Sequence, residues 1–133
     1  MPYSVIRVIM VTKEDKRMVF VCYPRCTTCQ KAQKWLDARG LTYTVRHIKD
    51  ENPTAEELKA WRERSGAPLR KFFNTSGLKY KELTLKEKLP AMPEEEQLAL
   101  LASDGMLVKR PLLVGEDFVL TGFREAEWAE KLL

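Results

Sequence analysis

The chain has 133 residues, 44% hydrophobic and 32% charged, the balance of one globular domain, which excludes a disordered, collagen-like or membrane-embedded chain. Lys and Arg number 23 against 19 Asp and Glu, so the net charge of +4 can attract small anions but is no signature of a nucleic-acid-binding surface. The 3 cysteines cannot all pair within the chain, and a domain of this size does not depend on disulfides, so a reducing compartment and a soluble cytoplasmic protein are expected.

Ser4–Thr12 is a β-like run of Val and Ile, but the charged cluster Lys13-Glu14-Asp15-Lys16-Arg17 separates it from the next strand-like run. Its apolar part is interrupted by Arg7 and lacks the small-residue cleavage site of a secretory signal. No run approaches the ~18 apolar residues of a membrane span. Residues 1–17 are therefore expected to be an N-terminal arm or extra strand, and 18–133 a single domain. A strand is expected at Met18–Cys22, ended by Tyr23-Pro24-Arg25 because Pro24 cannot continue a central ladder. The helix Thr27–Arg39 comes next, with Cys29, Ala32, Trp35 and Leu36 on one face and Gly40 suited to a left-handed cap. Leu41–Ile48 alternates, with Leu41, Tyr43, Val45 and His47 on one face, as in a half-buried strand. Strand, helix and strand in this order imply parallel pairing with a right-handed crossover.

A helical insert is expected at about 50–108. Thr54-Ala55-Glu56-Glu57 is a capping-box sequence, Leu58 and Trp61 supply an apolar stripe, and Gly66 closes the helix. Pro68–Phe73 is predicted as a second helix with Pro68 at its first position, before the turn Asn74-Thr75-Ser76-Gly77. Thr84-Leu85-Lys86-Glu87 repeats the capping-box signature, and Pro93 opens a helix with Leu98, Leu101 and Ala102 on its stripe. Strands return at Pro111–Val114 and Asp117–Thr121 around a tight Gly115-Glu116 hairpin, and a last helix, Phe123–Leu132, is expected to bury Trp128 and Leu132. The order β-α-β, helices, β-β-α is an α/β plan with a mixed sheet, and the chain has no fixed-period repeat.

Cys26-Thr27-Thr28-Cys29 opens a helix directly after a strand, where unsatisfied amides and the helix dipole favour a thiolate at Cys26 and Arg25 adds positive charge. A fall in pKa from ~8.5 to ~7 takes a thiol from a few per cent to about half ionised at neutral pH. Cys29, one turn on, is placed to attack a bond formed at Cys26 and release it as an internal disulfide. Zinc is the rival reading, but Cys22, Cys26, Cys29 and His47 do not form two compact ligand pairs, and no metal is expected. Cys22 reads as a core residue of its strand and His47 as a core or edge histidine, so a Cys–His hydrolase is disfavoured. Lys109-Arg110-Pro111 holds an arginine on a restricted backbone, with Pro111 a candidate cis-proline; a solvated basic turn is the equally open reading. Arg70-Lys71 likewise reads as a helix-surface pair unless it faces the cysteines. If Arg70 and Arg110 converge on Cys26, their forked donors would hold a tetrahedral oxyanion or the carboxylate of a thiol cosubstrate.

Cys26-x-x-Cys29-x-Lys31-Ala32 after a strand, Arg70-Lys71-Phe72-Phe73-Asn74-Thr75-Ser76-Gly77, Leu100-Leu101-Ala102-Ser103-Asp104-Gly105 and Lys109-Arg110-Pro111 together resemble the ArsC/Spx family of arsenate-reductase-like proteins, from about Met18 to the C-terminus. The resemblance implies a thioredoxin-like fold with a helical insert, Cys26 as the nucleophile, Arg110 and Arg70 as anion-binding arginines, and Pro111 as the cis-proline facing the nucleophile. A third arginine of the glutaredoxin-dependent members falls at Gly122 here, with Arg124 nearby, and those members lack the second cysteine present at Cys29. The expectation is a monomeric thiol–disulfide oxidoreductase of the arsenate-reductase-like type, acting on an oxyanion or thiol substrate. Glutathione, glutaredoxin or thioredoxin would be the reductant, with no bound cofactor or metal and no nucleic-acid or membrane contact. The alternative is a Spx-like redox regulator whose Cys26–Cys29 pair controls protein contacts with RNA polymerase.

Overall fold

Strict alternation in four residues sets the middle of the sheet. In the computed structural model, which describes residues 18–133, β1 (Val19–Cys22) lies between β2 (Thr44–His47), its parallel neighbour, and β3 (Leu112–Val114), which runs antiparallel. The strand β4 (Val119–Thr121) completes the order β2-β1-β3-β4 on the far edge. The expected strand at Ser4–Thr12, and with it the arm at 1–17, lies outside the described residues.

Phe20 sits opposite Leu113, which sits opposite Leu120, and these side chains with Cys22 pack under α1 (Thr27–Ala38) and α6 (Glu125–Leu132). The in-between residues Val19 and Val21, with Leu112, Val114 and Val119, face the helical insert. Burying both faces of so short a sheet gains about 1.5–3 kcal/mol for each large apolar side chain removed from water. On the first face α1 buries Cys29, Ala32, Trp35 and Leu36, and Gly40 leaves the helix at φ +69°, a conformation that glycine adopts without steric cost. Trp128 is fully buried edge-on to Phe20, Trp35 and Phe123, and its indole Nε1 donates to the Gly122 carbonyl at 3.0 Å, so the ring carries no orphaned donor into the core.

The insert consists of α2 (Ala55–Ser65), a 3₁₀ turn at Leu69–Phe72, α3 (Leu78–Glu82), α4 (Leu85–Lys88), a 3₁₀ turn at Leu89–Ala91, α5 (Glu94–Ser103) and a 3₁₀ turn at Gly105–Leu107. Thr54 caps α2 as its sequence predicts: the Glu57 amide donates to Thr54 Oγ1 and the Thr54 amide to Glu57 Oε1, both at 3.0 Å. Thr84 does not repeat this. It lies in the left-handed region at φ +51°, away from the extended conformation of an N-cap, and its hydroxyl donates to the Leu83 carbonyl at 2.6 Å.

Four other expectations are corrected by tertiary contacts. Pro68–Phe73 gives one 3₁₀ turn instead of a helix, because Phe73 pairs with Val108 and the Phe72 carbonyl accepts from the Lys109 amide at 2.7 Å, drawing the chain into extended form. The strand at Leu41–Ile48 shortens to Thr44–His47 at the sheet edge, where Val45 stays 42% exposed and His47 is an exposed edge residue 3.9 Å from Asp50. The hairpin spans Gly115–Phe118 and delays β4 to Val119: the Gly115 amide donates to the Phe118 carbonyl at 2.8 Å, and the Phe118 ring occupies the space a Cβ at 115 would need. The last helix begins at Glu125, and Leu132 packs only half-buried against the core.

The other side of β2 is tied to the insert by one forked pair. Arg46 Nη1 and Nη2 each donate to Glu57 at 2.8 Å, and the guanidinium lies 5.6 Å from the Trp61 ring centre. These hydrogen bonds, opposed by burial, hold the Glu57 carboxyl at about 2, below the usual carboxylate range. With a side chain 37% exposed, the pair is screened by solvent and contributes about 1 kcal/mol. A carboxyl depressed in the folded state stabilises above its unfolded value and loses that contribution as pH falls toward its folded value. Arg46→Ala should therefore lower stability by about 1 kcal/mol at pH 7 in urea denaturation, and its gap from wild type should close between about pH 4.5 and 2.

Candidate functional site

Pro24 ends β1 and Cys26 becomes the N-cap of α1, with extended backbone (φ −84°, ψ 117°). The Cys26 amide donates to the Tyr23 carbonyl at 3.0 Å, which closes the turn, and the Cys29 amide points at Cys26 Sγ at 3.4 Å. Cys26 is half-buried, whereas Cys22 and Cys29 are buried. Burial pushes the Cys29 thiol up to about 12, reinforced by Cys26 and Cys22 and opposed by a backbone hydrogen bond at Tyr23. Cys22 is pushed up as well, by burial and then by the neighbouring Cys26. Two of the three thiols are thus held protonated at neutral pH, and Cys26 is the accessible sulfur.

Cys26 opens into a cavity of about 660 Å³ where the start of α1, the 3₁₀ turn at Leu69–Phe72, the Asn74–Gly77 turn and the β4–α6 junction meet. Its lining includes the cations Arg70, Lys71, Lys109, Arg110 and Arg124, against the one carboxylate of Glu127. The structure thus brings Arg70 and Arg110 to the same cavity as Cys26. Arg110 is the fixed member: its guanidinium lies 5.3 Å from the Tyr23 ring centre and Nη1 donates to the Met106 and Val108 carbonyls at 3.4 Å. Arg110 Nε is buried without a partner, and the Arg110–Pro111 peptide bond is cis. Arg70 and Lys71 are exposed on the cavity rim. Arg25 is exposed and not part of the lining, so the charge expected from it next to Cys26 is supplied by the other segments. His47 is also outside the cavity, and among the described residues no cluster of three metal-ligating side chains forms.

Tyr23, Phe123 and Glu127 are the parts that sequence reasoning did not pick out. Tyr23 reads only as the residue before a strand-ending proline, although Tyr-Pro-Arg beside Cys26 places an aromatic face one turn from the thiol; nothing local marks Glu127. Gly122 takes φ +73°, donates its amide to the Pro111 carbonyl at 2.8 Å, and would bring a Cβ within 3.0 Å of Lys109 Cε.

The ArsC family model matches residues 22–131 of this chain. The chain belongs to the ArsC family. A solved structure described as a possible arsenate reductase from Streptococcus mutans UA159 is 44% identical, covers 87% of this chain and 98% of its own, and superposes with a TM-score of 0.80. The thioredoxin-like α/β fold is shared across such neighbours. Among curated relatives, the uncharacterized protein YusI of Bacillus subtilis (strain 168) is 55% identical over 113 residues, 85% of this chain and 96% of its own. The regulatory protein MgsR of the same organism is 31% identical over 113 residues, 85% of this chain and 88% of its own. At Gly122, where the resemblance leads one to expect a third arginine, the left-handed backbone disfavours any side chain. Gly122→Ala should cost about 1–2 kcal/mol in urea denaturation, the strain of an L residue in the left-handed region, with further displacement of Lys109.

Proposed function

We propose that this ArsC-family protein is a thiol oxidoreductase of the arsenate-reductase-like type, working in a reducing cytoplasm on a small oxyanion or disulfide. The observation that carries it is an accessible N-cap thiol opening into a cation-lined cavity, with a second, buried thiol one turn behind. Cys26 sulfur is the nucleophile, and Arg110 and Arg70 neutralise the anion that it attacks. With arsenate, Cys26 sulfur displaces an oxygen as water and forms an S–As(V) bond. Cys29 then attacks Cys26 sulfur, the S–As pair of electrons passes to arsenic, As(III) departs, and a Cys26–Cys29 disulfide remains. Two electrons from glutathione, glutaredoxin or thioredoxin restore the dithiol. A disulfide substrate follows the same course, with a thiolate as leaving group.

Burial of Cys29 makes its deprotonation the pH-dependent step. A group ionising at about 12 is thiol throughout the neutral range, so its thiolate fraction and the resolving step should rise about tenfold per pH unit from 7 to 9. Cys26→Ser should abolish turnover, whereas Cys29→Ser should form the Cys26 adduct, visible by intact mass, and fail to make the internal disulfide. Turnover that persists in Cys26→Ser with every substrate tried would refute the mechanism.

The 31% identity to the regulatory protein MgsR supports a second reading, in which the same dithiol is a switch that governs contact with RNA polymerase. Oxidation-dependent capture of polymerase, without turnover of arsenate or disulfides, would favour this reading over the enzyme.

A further inference from the structure

We propose that Lys109 is a specificity-determining residue, an ammonium that selects anionic reactants at Cys26, and that the glycine at 122 exists to make room for it. The proposal rests on Cys26 being the cavity's nucleophile, but not on turnover. Both backbones are pinned where they meet: the Lys109 amide donates to the Phe72 carbonyl at 2.7 Å and the Gly122 amide to the Pro111 carbonyl at 2.8 Å. From that fixed origin the Lys109 stem crosses Gly122. A Cβ at 122 would lie 3.0 Å from Lys109 Cε and 3.8 Å from Nζ, so the aliphatic stem rests on the space that only glycine leaves open. Lys109 and Gly122 line the same cavity as Cys26.

What distinguishes Lys109 from its neighbour is how its charge is used. Arg110 commits Nη1 to two backbone carbonyls and stacks on Tyr23. Among the described residues the Lys109 ammonium has no ion pair and no hydrogen bond, and the carboxylate in the lining, Glu127, does not pair with it. An ammonium is a compact point charge without the planar fork of a guanidinium, so it is suited to one oxygen of a small anion beside the reacting sulfur. The substrate class this favours is a carboxylate-bearing low-molecular-weight disulfide over a neutral one.

Two alkylating reagents isolate that charge. Iodoacetate and iodoacetamide both react as Cys26 sulfur attacks the methylene carbon, the S–C bond forming as the C–I bond breaks and iodide leaves; they differ in a carboxylate against an amide. Rates at Cys26, followed by peptide mass mapping, give a selectivity ratio. Lys109→Met should lower the iodoacetate-to-iodoacetamide ratio about fivefold to tenfold, the effect of one charge-assisted contact, while Lys109→Arg should keep it within about twofold. Far-UV circular dichroism and urea midpoints establish that both variants are folded. An unchanged ratio in folded Lys109→Met, or equal slowing of both reagents, would overturn the assignment, because a general effect on the Cys26 thiol moves both rates together. The enzyme reading fails by a different result, turnover that persists in Cys26→Ser, so the two failures are distinguishable.

Discussion

Everything at the site depends on β1 being the buried centre of the sheet. Phe20 and Val21 are fully buried on opposite faces, so a slip by one residue would exchange the two sets of side chains between cores that are packed differently. Its register with β2 and β3 therefore fixes where Cys22 ends, and the Tyr23–Cys26 turn leaves little freedom in where the first sulfur emerges. The packing of α1 through Ala32, Trp35 and Leu36 then sets the direction of the helix amides that face that sulfur. The position of Cys26 is thus a consequence of hydrophobic packing several residues away.

The two cysteines of the pair differ because they sit on opposite sides of a packing boundary. Cys26 is a cap and opens to the cavity; Cys29 belongs to the same buried cluster as Phe20, Trp35 and Trp128. Burial keeps the Cys29 sulfur protonated, while the Cys26 sulfur stays accessible at the cavity. The cavity cations divide in a similar way. Arg110 is immobilised by Tyr23 and by backbone carbonyls, Lys109 is held only at its backbone and by the open space over Gly122, and Arg70 and Lys71 sit out on the rim.

The insert shapes the site by closing the cavity from above. Phe73 pairs with Val108, and the Phe72 carbonyl takes the Lys109 amide, so the segment carrying Arg70 and the segment carrying Arg110 are stitched together immediately before β3. That same pairing is why Pro68–Phe73 stops after one 3₁₀ turn. The turn leaves Arg70 lining the same cavity as Cys26 and Arg110, so the local expectation failed where the cation-lined cavity is assembled.

What the sequence determined by itself is what acts over a few residues: the alternation of β1, the apolar stripe of α1, the Thr54 capping box, the left-handed glycine after α1 and the placement of Cys26 and Cys29 at a helix start. The order of elements came from these. Thr84 marks the limit of such local rules, since its capping signature was overruled by a left-handed backbone. Tertiary structure alone decided which cations face Cys26, that Arg25 beside it does not line the cavity, that Val45 lies on an exposed edge, and that Gly122 lies under Lys109. Those facts depend on segments far apart in the chain meeting through the packing of the insert and the sheet, and periodicity or capping, which act within a turn or two, carry no information about such meetings.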